Sequence, residues 1–129
     1  MAKTVLVVED NELNLKLFCD LLRAHGFEPV PVRDARDALS TARDAHPDLI
    51  IMDIQMPYIS GLELIGSIRA DPLMRETPIM AVTAYAGKGD EDRIRDAGAD
   101  AFVSKPITLA RFIATTQELV SRVGLPLSP

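Results

Sequence analysis

Cysteine is almost absent from this chain. Cys19 stands alone, so no internal disulfide can form, and its simplest reading is a small helix residue with no special role. No apolar run approaches the roughly 18 residues that a membrane-spanning helix needs. The first residues lack a charged region followed by an apolar stretch, so no signal peptide is expected. Basic clusters are missing too: 14 Lys and Arg stand against 19 Asp and Glu, a net charge of −5. Phosphate contacts need a basic patch, which argues against direct nucleic-acid binding. Control of DNA-bound partners stays open. There is no internal repeat or low-complexity segment, and the two histidines, His25 and His46, fall at helix ends without a motif around them. Together these absences point to the cytoplasm.

What is present suffices for one domain with a real core. Over 129 residues, 47% are hydrophobic and 26% charged. Residues 4–8 read as a strand, and Asn11 caps a helix to about Ala24 that His25-Gly26 closes. A second strand, Phe27 to Val32, carries Pro29 and Pro31, and lost ladder donors place it at a sheet edge. Asp34 caps a second helix with Ala35, Ala38, Leu39, Ala42 and Ala45 on one side, ended by Pro47. Leu49-Ile50-Ile51-Met52 is a short strand buried on both faces. Gly61 leads into a helix with Leu64, Ile65 and Ile68, and Ile79–Val82 is the fourth strand. The charged stretch Gly87 to Ala97, apolar only at Ile94, is expected to be a weakly anchored, mobile helix. Ala101-Phe102-Val103 is the last strand. Thr108 then caps a final helix with Leu109, Phe112, Ile113, Leu119, Val120 and Val123 at helical spacing. Strict alternation implies an α/β fold, a doubly wound five-stranded parallel sheet flanked by five helices. Residues 1–123 form the domain, and 124–129 are a short tail.

Chemistry gathers at the strand ends. The first strand ends in Glu9-Asp10, the third in Asp53, and the last in Lys105-Pro106. In an open parallel sheet, ligands collect beyond the carboxyl ends of the strands. Two carboxylates about 4 Å apart repel by roughly 4 kcal/mol at an effective dielectric near 20. Glu9, Asp10 and Asp53 therefore call for a cation. The donors are hard oxygens with no histidine or second cysteine nearby in sequence, so Mg²⁺ fits and zinc does not, and Mn²⁺ is a chemical substitute. Lys105 follows an apolar strand and precedes a proline, which singles it out from surface lysines and makes its bond to Pro106 a candidate cis peptide. The first helix adds a surface feature. Leu13, Leu15, Leu17, Phe18, Leu21, Leu22 and Ala24 span an arc of roughly 200°, wider than the ~100° needed to dock one face. Part of that helix should be apolar and exposed.

Glu9-Asp10, Asp53-Ile54-Gln55-Met56-Pro57 with Gly61, Thr83-Ala84 and Lys105-Pro106, in this order and at these strand ends, resemble the signature of a response-regulator receiver domain. The match spans residues 4 to about 123. More narrowly, residues 8–14, 81–86 and 88–91 are similar to a stand-alone cell-division regulator of that family. The resemblance implies a strand order of 2-1-3-4-5. It implies that Asp53 is the phosphoacceptor, with Asp10, Asp53 and the Gln55 backbone carbonyl on Mg²⁺ and Glu9 acting through a water. Lys105, the Thr83 hydroxyl and backbone amides near Ala84 then face the phosphoryl oxygens, with Gln55 and Tyr85 flanking the group. Thr83 and Phe102 are the switch pair. Phenylalanine stands where the family often has tyrosine, so no hydroxyl is available to bond the loop. A histidine kinase or histidine phosphotransfer protein is the implied donor, docking at Leu13, Asn14, Phe18, Pro106 and Ile107. The chain would be a monomeric phosphoacceptor, not a turnover enzyme, and would signal by binding other proteins. Two rival classes share parts of this pattern. An aspartyl-phosphate phosphatase usually needs a second acid two residues after the nucleophile, where this chain has Gln55. A flavin-binding module needs a phosphate-cradling loop where this chain has Glu9-Asp10.

Overall fold

The computed structural model describes residues 2–84 and 87–122, without the side chains of Lys88 and Arg122. Tyr85, Ala86, Val123 and the 124–129 tail lie outside the described residues. Strands β1 (Thr4–Val8), β2 (Glu28–Val32), β3 (Leu49–Asp53), β4 (Ile79–Thr83) and β5 (Ala101–Ser104) alternate with helices α1 (Glu12–Ala24), α2 (Ala38–Ala45), α3 (Gly61–Ala70), α4 (Lys88–Ala97) and α5 (Leu109–Arg122). All pairings are parallel, in the order β2-β1-β3-β4-β5. Both the fold class and the strand order match the sequence reading.

The edge position of β2 has a visible cause. Glu28 N–H donates to Lys3 O, so alternate residues from Glu28 on turn their backbone donors toward β1. Pro29 and Pro31 fall between them and leave their missing donors on the outer edge, where no neighbour needs them. The central strands β3 and β4 are buried along their whole length. Side chains alternate between faces with period two. Val5, Val7, Leu49, Ile51, Met80 and Val82 pack under α1 and α5. Leu6, Val8, Ile50, Met52, Ile79 and Ala81 pack under α2, α3 and α4.

Capping follows the sequence closely. Asn11 Oδ1 accepts from Asn14 N–H at 3.0 Å, and Gly26, at φ 86°, turns the chain out of α1. Asp34 caps a short 3₁₀ turn over Ala35–Asp37 that precedes α2. The helix expected from Ala35 thus begins with one tighter turn. In α5, Thr108 Oγ1 accepts from Arg111 N–H at 3.4 Å. Leu109, expected on the buried side, is exposed, because the first residue of a helix precedes the turn that meets the sheet. Ile94 is buried and anchors α4.

Two contacts were not evident from periodicity. The Phe18 and Phe112 rings stack with centroids 5.0 Å apart and join α1 to α5. At the opposite end of the sheet from the carboxylates, Arg69 donates to Thr77 O at 2.7 Å and Gly98 O at 2.9 Å and pairs with Asp100 at 2.8 Å. It ties α3 to the segments before β4 and β5.

Gly61 is a close-approach glycine. A Cβ there would lie 2.6 Å from Ile54 Cα and 3.1 Å from Asp53 O, both backbone atoms. Gly66, on the same helix, has nothing within 4 Å. Gly61→Ala should therefore destabilise by about 1–3 kcal/mol, from forced backbone movement. Gly66→Ala should stabilise by about 0.5–1 kcal/mol, from helix propensity. Urea unfolding of both variants checks the contrast, and equal effects would contradict the packing described.

Candidate functional site

Parallel register brings the acids together. Val8 pairs with Met52, so the next residues, Glu9 and Asp53, emerge side by side. Asp53 pairs with Val82, Thr83 pairs with Ser104, and Lys105 N–H donates to Thr83 O at 2.8 Å. Four adjacent strand ends therefore present Glu9 and Asp10, Asp53, Thr83 and Lys105 at one edge, where sheets of this type place their ligands. The Lys105–Pro106 peptide bond is cis, as its sequence context suggested.

Asp53 is held on both oxygens. Oδ1 accepts from Gln55 N–H at 3.0 Å, and Oδ2 accepts from the Lys105 ammonium at 2.9 Å. The same ammonium lies 3.9 Å from Glu9 Oε1. Glu9 and Asp53 are buried, while Asp10 is exposed and faces solvent. One carboxylate oxygen from each of Glu9, Asp10 and Asp53 lies within 4.8 Å of the other two.

Such crowding of acids perturbs protonation. Glu9 is pushed up to about 8, first by burial, then by the closeness and charge of the Asp53 carboxylate. The Asn14 amide, donating to Glu9 Oε1 at 3.2 Å, and the Lys105 charge act the other way. Partial burial works against the Lys105 ammonium. Its hydrogen bond to Asp53 and the charges of Asp53, Glu9 and Asp10 outweigh that and hold its pKa above the ordinary lysine value. Glu9 Oε2 is buried, and among the described residues no hydrogen-bond donor reaches it. A buried, unpartnered carboxylate oxygen beside two other carboxylates is what a hard divalent cation would satisfy. The donor set therefore fits a metal.

The remaining predicted residues divide clearly. The Thr83 side chain is wholly buried, and Ala84 is exposed beside it. Phe102 is half-buried against the core layer that includes Ile94 and Ala81. Among the expected docking residues, Leu13 is 80% exposed, Pro106 is exposed, and Ile107 is half-buried. Leu17 is exposed as well, so α1 does present apolar surface. Phe18 is a correction: only 3% exposed and stacked on Phe112, it belongs to the core and cannot meet a partner. The wide apolar arc of α1 could not tell its α5-facing part from its outward part. Asn14 has a role within the site itself, as the donor to Glu9. Its place in the first turn of α1, five residues after Glu9, is the signal that could have shown this.

Sequence reasoning missed a further arrangement. The Gln55 side chain spans to β4, where Nε2 donates to Thr83 Oγ1 at 2.8 Å and Oε1 accepts from Ala84 N–H at 3.1 Å. Beyond Asp10, Tyr58 sits at φ 74° with the Arg36 guanidinium 3.8 Å from its ring centroid.

Comparison with known proteins agrees with this geometry. The family model described as the response regulator receiver domain matches residues 5–117. The polar-differentiation response regulator DivK of Brucella ovis is 54% identical over 115 residues, covering 89% of this chain and 94% of the relative. DivK of Brucella anthropi is 53% identical over the same length. Among solved structures, the chemotaxis response regulator CheY4 of Vibrio cholerae superposes with a TM-score of 0.88 at 27% identity, covering 92% of this chain and 99% of that one. The receiver domain of the sensor histidine kinase PA1611 from Pseudomonas aeruginosa, solved with a magnesium ion coordinated in its active-site cleft, gives 0.86 at 30% identity, covering 94% and 99%. With acids, threonine and lysine at the same strand ends that its sequence pattern marked, this chain belongs to the response-regulator receiver family.

Proposed function

We propose that the protein is a stand-alone phosphoacceptor in a two-component relay, taking a phosphoryl group on Asp53 from a histidine kinase or histidine phosphotransfer protein. The observation that carries this reading is Asp53 itself: nearly buried, held by the Lys105 ammonium at 2.9 Å, and faced by two further carboxylates. The relatedness to DivK supports a role in cell-cycle or cell-division control. The protein acts as a monomer in the cytoplasm, catalyses only its own phosphorylation and dephosphorylation, and signals by binding downstream proteins. Residues 1–123 carry the function.

Asp10, Asp53 and the Gln55 backbone carbonyl would hold Mg²⁺ directly, with Glu9 behind them. Mg²⁺ when bound supplies Lewis-acid stabilisation of phosphoryl oxygens and relieves the carboxylate repulsion, and Mn²⁺ can stand in for it. An Asp53 carboxylate oxygen attacks phosphorus, the phosphorus–nitrogen bond of the donor histidine breaks, and its electron pair returns to the imidazole. Lys105 then neutralises a phosphoryl oxygen instead of the free carboxylate, and Thr83 and Ala84 N–H turn toward the others. Movement of Thr83 opens space beside Phe102, which fills it by turning inward. The exposed Leu13 and Pro106, with Asn14 and Ile107, are proposed to meet the donor's helices.

Incubation with Mg²⁺ and a small phosphodonor such as acetyl phosphate should give one base-labile adduct, on the peptide bearing Asp53. Asp53→Asn should abolish it, and Lys105→Met should slow it about a hundredfold. An undiminished adduct in Asp53→Asn would refute the assignment.

Protonation gives a second test. Without metal, folded Glu9 keeps its proton up to about pH 8, whereas the unfolded chain releases it near 4.5. Between these values the folded state binds more protons, so stability falls as pH rises from about 4.5 to 8. Asp20, Asp34 and Asp71, held below the ordinary carboxylate range by Lys16, Arg36 and Arg43, act only at lower pH and with the opposite sign. In EDTA, the unfolding midpoint should drop across this window, and Glu9→Gln should flatten the drop. A midpoint that rises with pH there would contradict the Glu9 environment.

A further inference from the structure

At the end of β4, two groups that the proposed reaction needs are already engaged by one side chain. Gln55 Nε2 donates to Thr83 Oγ1 at 2.8 Å, and Gln55 Oε1 accepts from Ala84 N–H at 3.1 Å. A carboxamide offers a donor and an acceptor side by side on one planar edge, and here it finds an acceptor and a donor in the same arrangement. Its own backbone is fixed, since Gln55 N–H donates to Asp53 Oδ1 at 3.0 Å. The side chain therefore reaches from the phosphoacceptor loop to the end of the neighbouring strand.

From this geometry we infer that Gln55 is a resting-state latch, a positioning residue whose carboxamide holds Thr83 and Ala84 in the places that a phosphoryl group on Asp53 would claim. The inference rests on Asp53 being the phosphoacceptor. A backbone N–H has one proton to give, so Ala84 cannot serve Gln55 Oε1 and a phosphoryl oxygen together at full strength. The Thr83 oxygen, accepting from Gln55, is tethered while that bond lasts. Phosphorylation must exchange the Ala84 contact, and any movement of Thr83 toward the phosphoryl group breaks the other, so the released carboxamide needs new polar partners. A cleft of about 440 Å³ provides them: Gln55 and Thr83 line it, with Asp90 and Arg93 of α4 on its wall and Ile94 among its apolar residues. Asp90 and Arg93, 4.0 Å apart as an ion pair along α4, carry the acceptor and donor assigned to the released amide. Opening of the latch thus carries the chemical state of Asp53 to the face of α4.

Gln55→Met keeps length and volume but removes both hydrogen bonds, and Gln55→Leu is a second variant with the same loss. Full-length wild type and both variants are titrated with beryllofluoride, a phosphoryl mimic, in saturating Mg²⁺. Ala84 amide exchange is read by NMR before and after. A latch predicts that removing it tightens beryllofluoride binding on the order of tenfold. It also predicts that Ala84 N–H exchanges faster in the unliganded variants than in wild type, and that the difference vanishes on binding. A merely structural glutamine would not produce a gain of affinity. Unchanged or weakened binding in both variants, with wild type binding normally, overturns the latch alone. Failure of all three proteins to bind beryllofluoride overturns the phosphoacceptor reading and the latch with it.

Discussion

Three carboxyl groups converge on one edge of this sheet, and among the described residues the Lys105 ammonium answers them. Glu9 and Asp53 emerge side by side because Val8 and Met52 are paired, and Asp10 follows directly. Lys105 reaches Asp53 at 2.9 Å and Glu9 at 3.9 Å, one positive charge against three potential negative ones. Glu9 responds by keeping a proton to about pH 8. A divalent cation held by Asp10 and Asp53 would relieve the same conflict in another way, by placing positive charge beside all three groups. The site is therefore complementary to a divalent ion.

The surrounding fold contacts these groups from several directions. Asn14, in the first turn of α1, donates to Glu9, so one outer helix is bonded directly to the carboxylates. Gln55 links the Asp53 loop to β4, and Lys105 N–H links the end of β5 to Thr83. A rigid sheet, with β3 and β4 buried throughout, fixes the strand ends relative to one another. The polar groups of the site then sit on side chains just beyond the strand ends, where rigid elements present a reactive group.

Much of this was legible from the residues alone. Unbroken apolar runs marked the doubly covered strands, and the two prolines marked the edge, because a missing donor is harmless only there. The acids and Lys105 were conspicuous because charges rarely end buried strands without a purpose. The sequence was silent where one side chain chooses among neighbours distant in the chain. Phe18 sits in an apolar arc too wide for one interface, and only the Phe112 ring shows which part is core. Gln55 meets groups 28 and 29 residues away through one rotamer, which no spacing encodes. Leu109 has the right period but lies a turn too early to be covered.

The most direct measurement is calorimetric titration of the protein with Mg²⁺ at pH 7 in two buffers of different ionisation enthalpy. If the three carboxylates exist to hold the ion, binding must displace the Glu9 proton, so the apparent enthalpy will differ between buffers by an amount that corresponds to proton release. Binding in Glu9→Gln should then show no such difference. Absence of binding, or binding by the wild type with no proton released, would contradict the account.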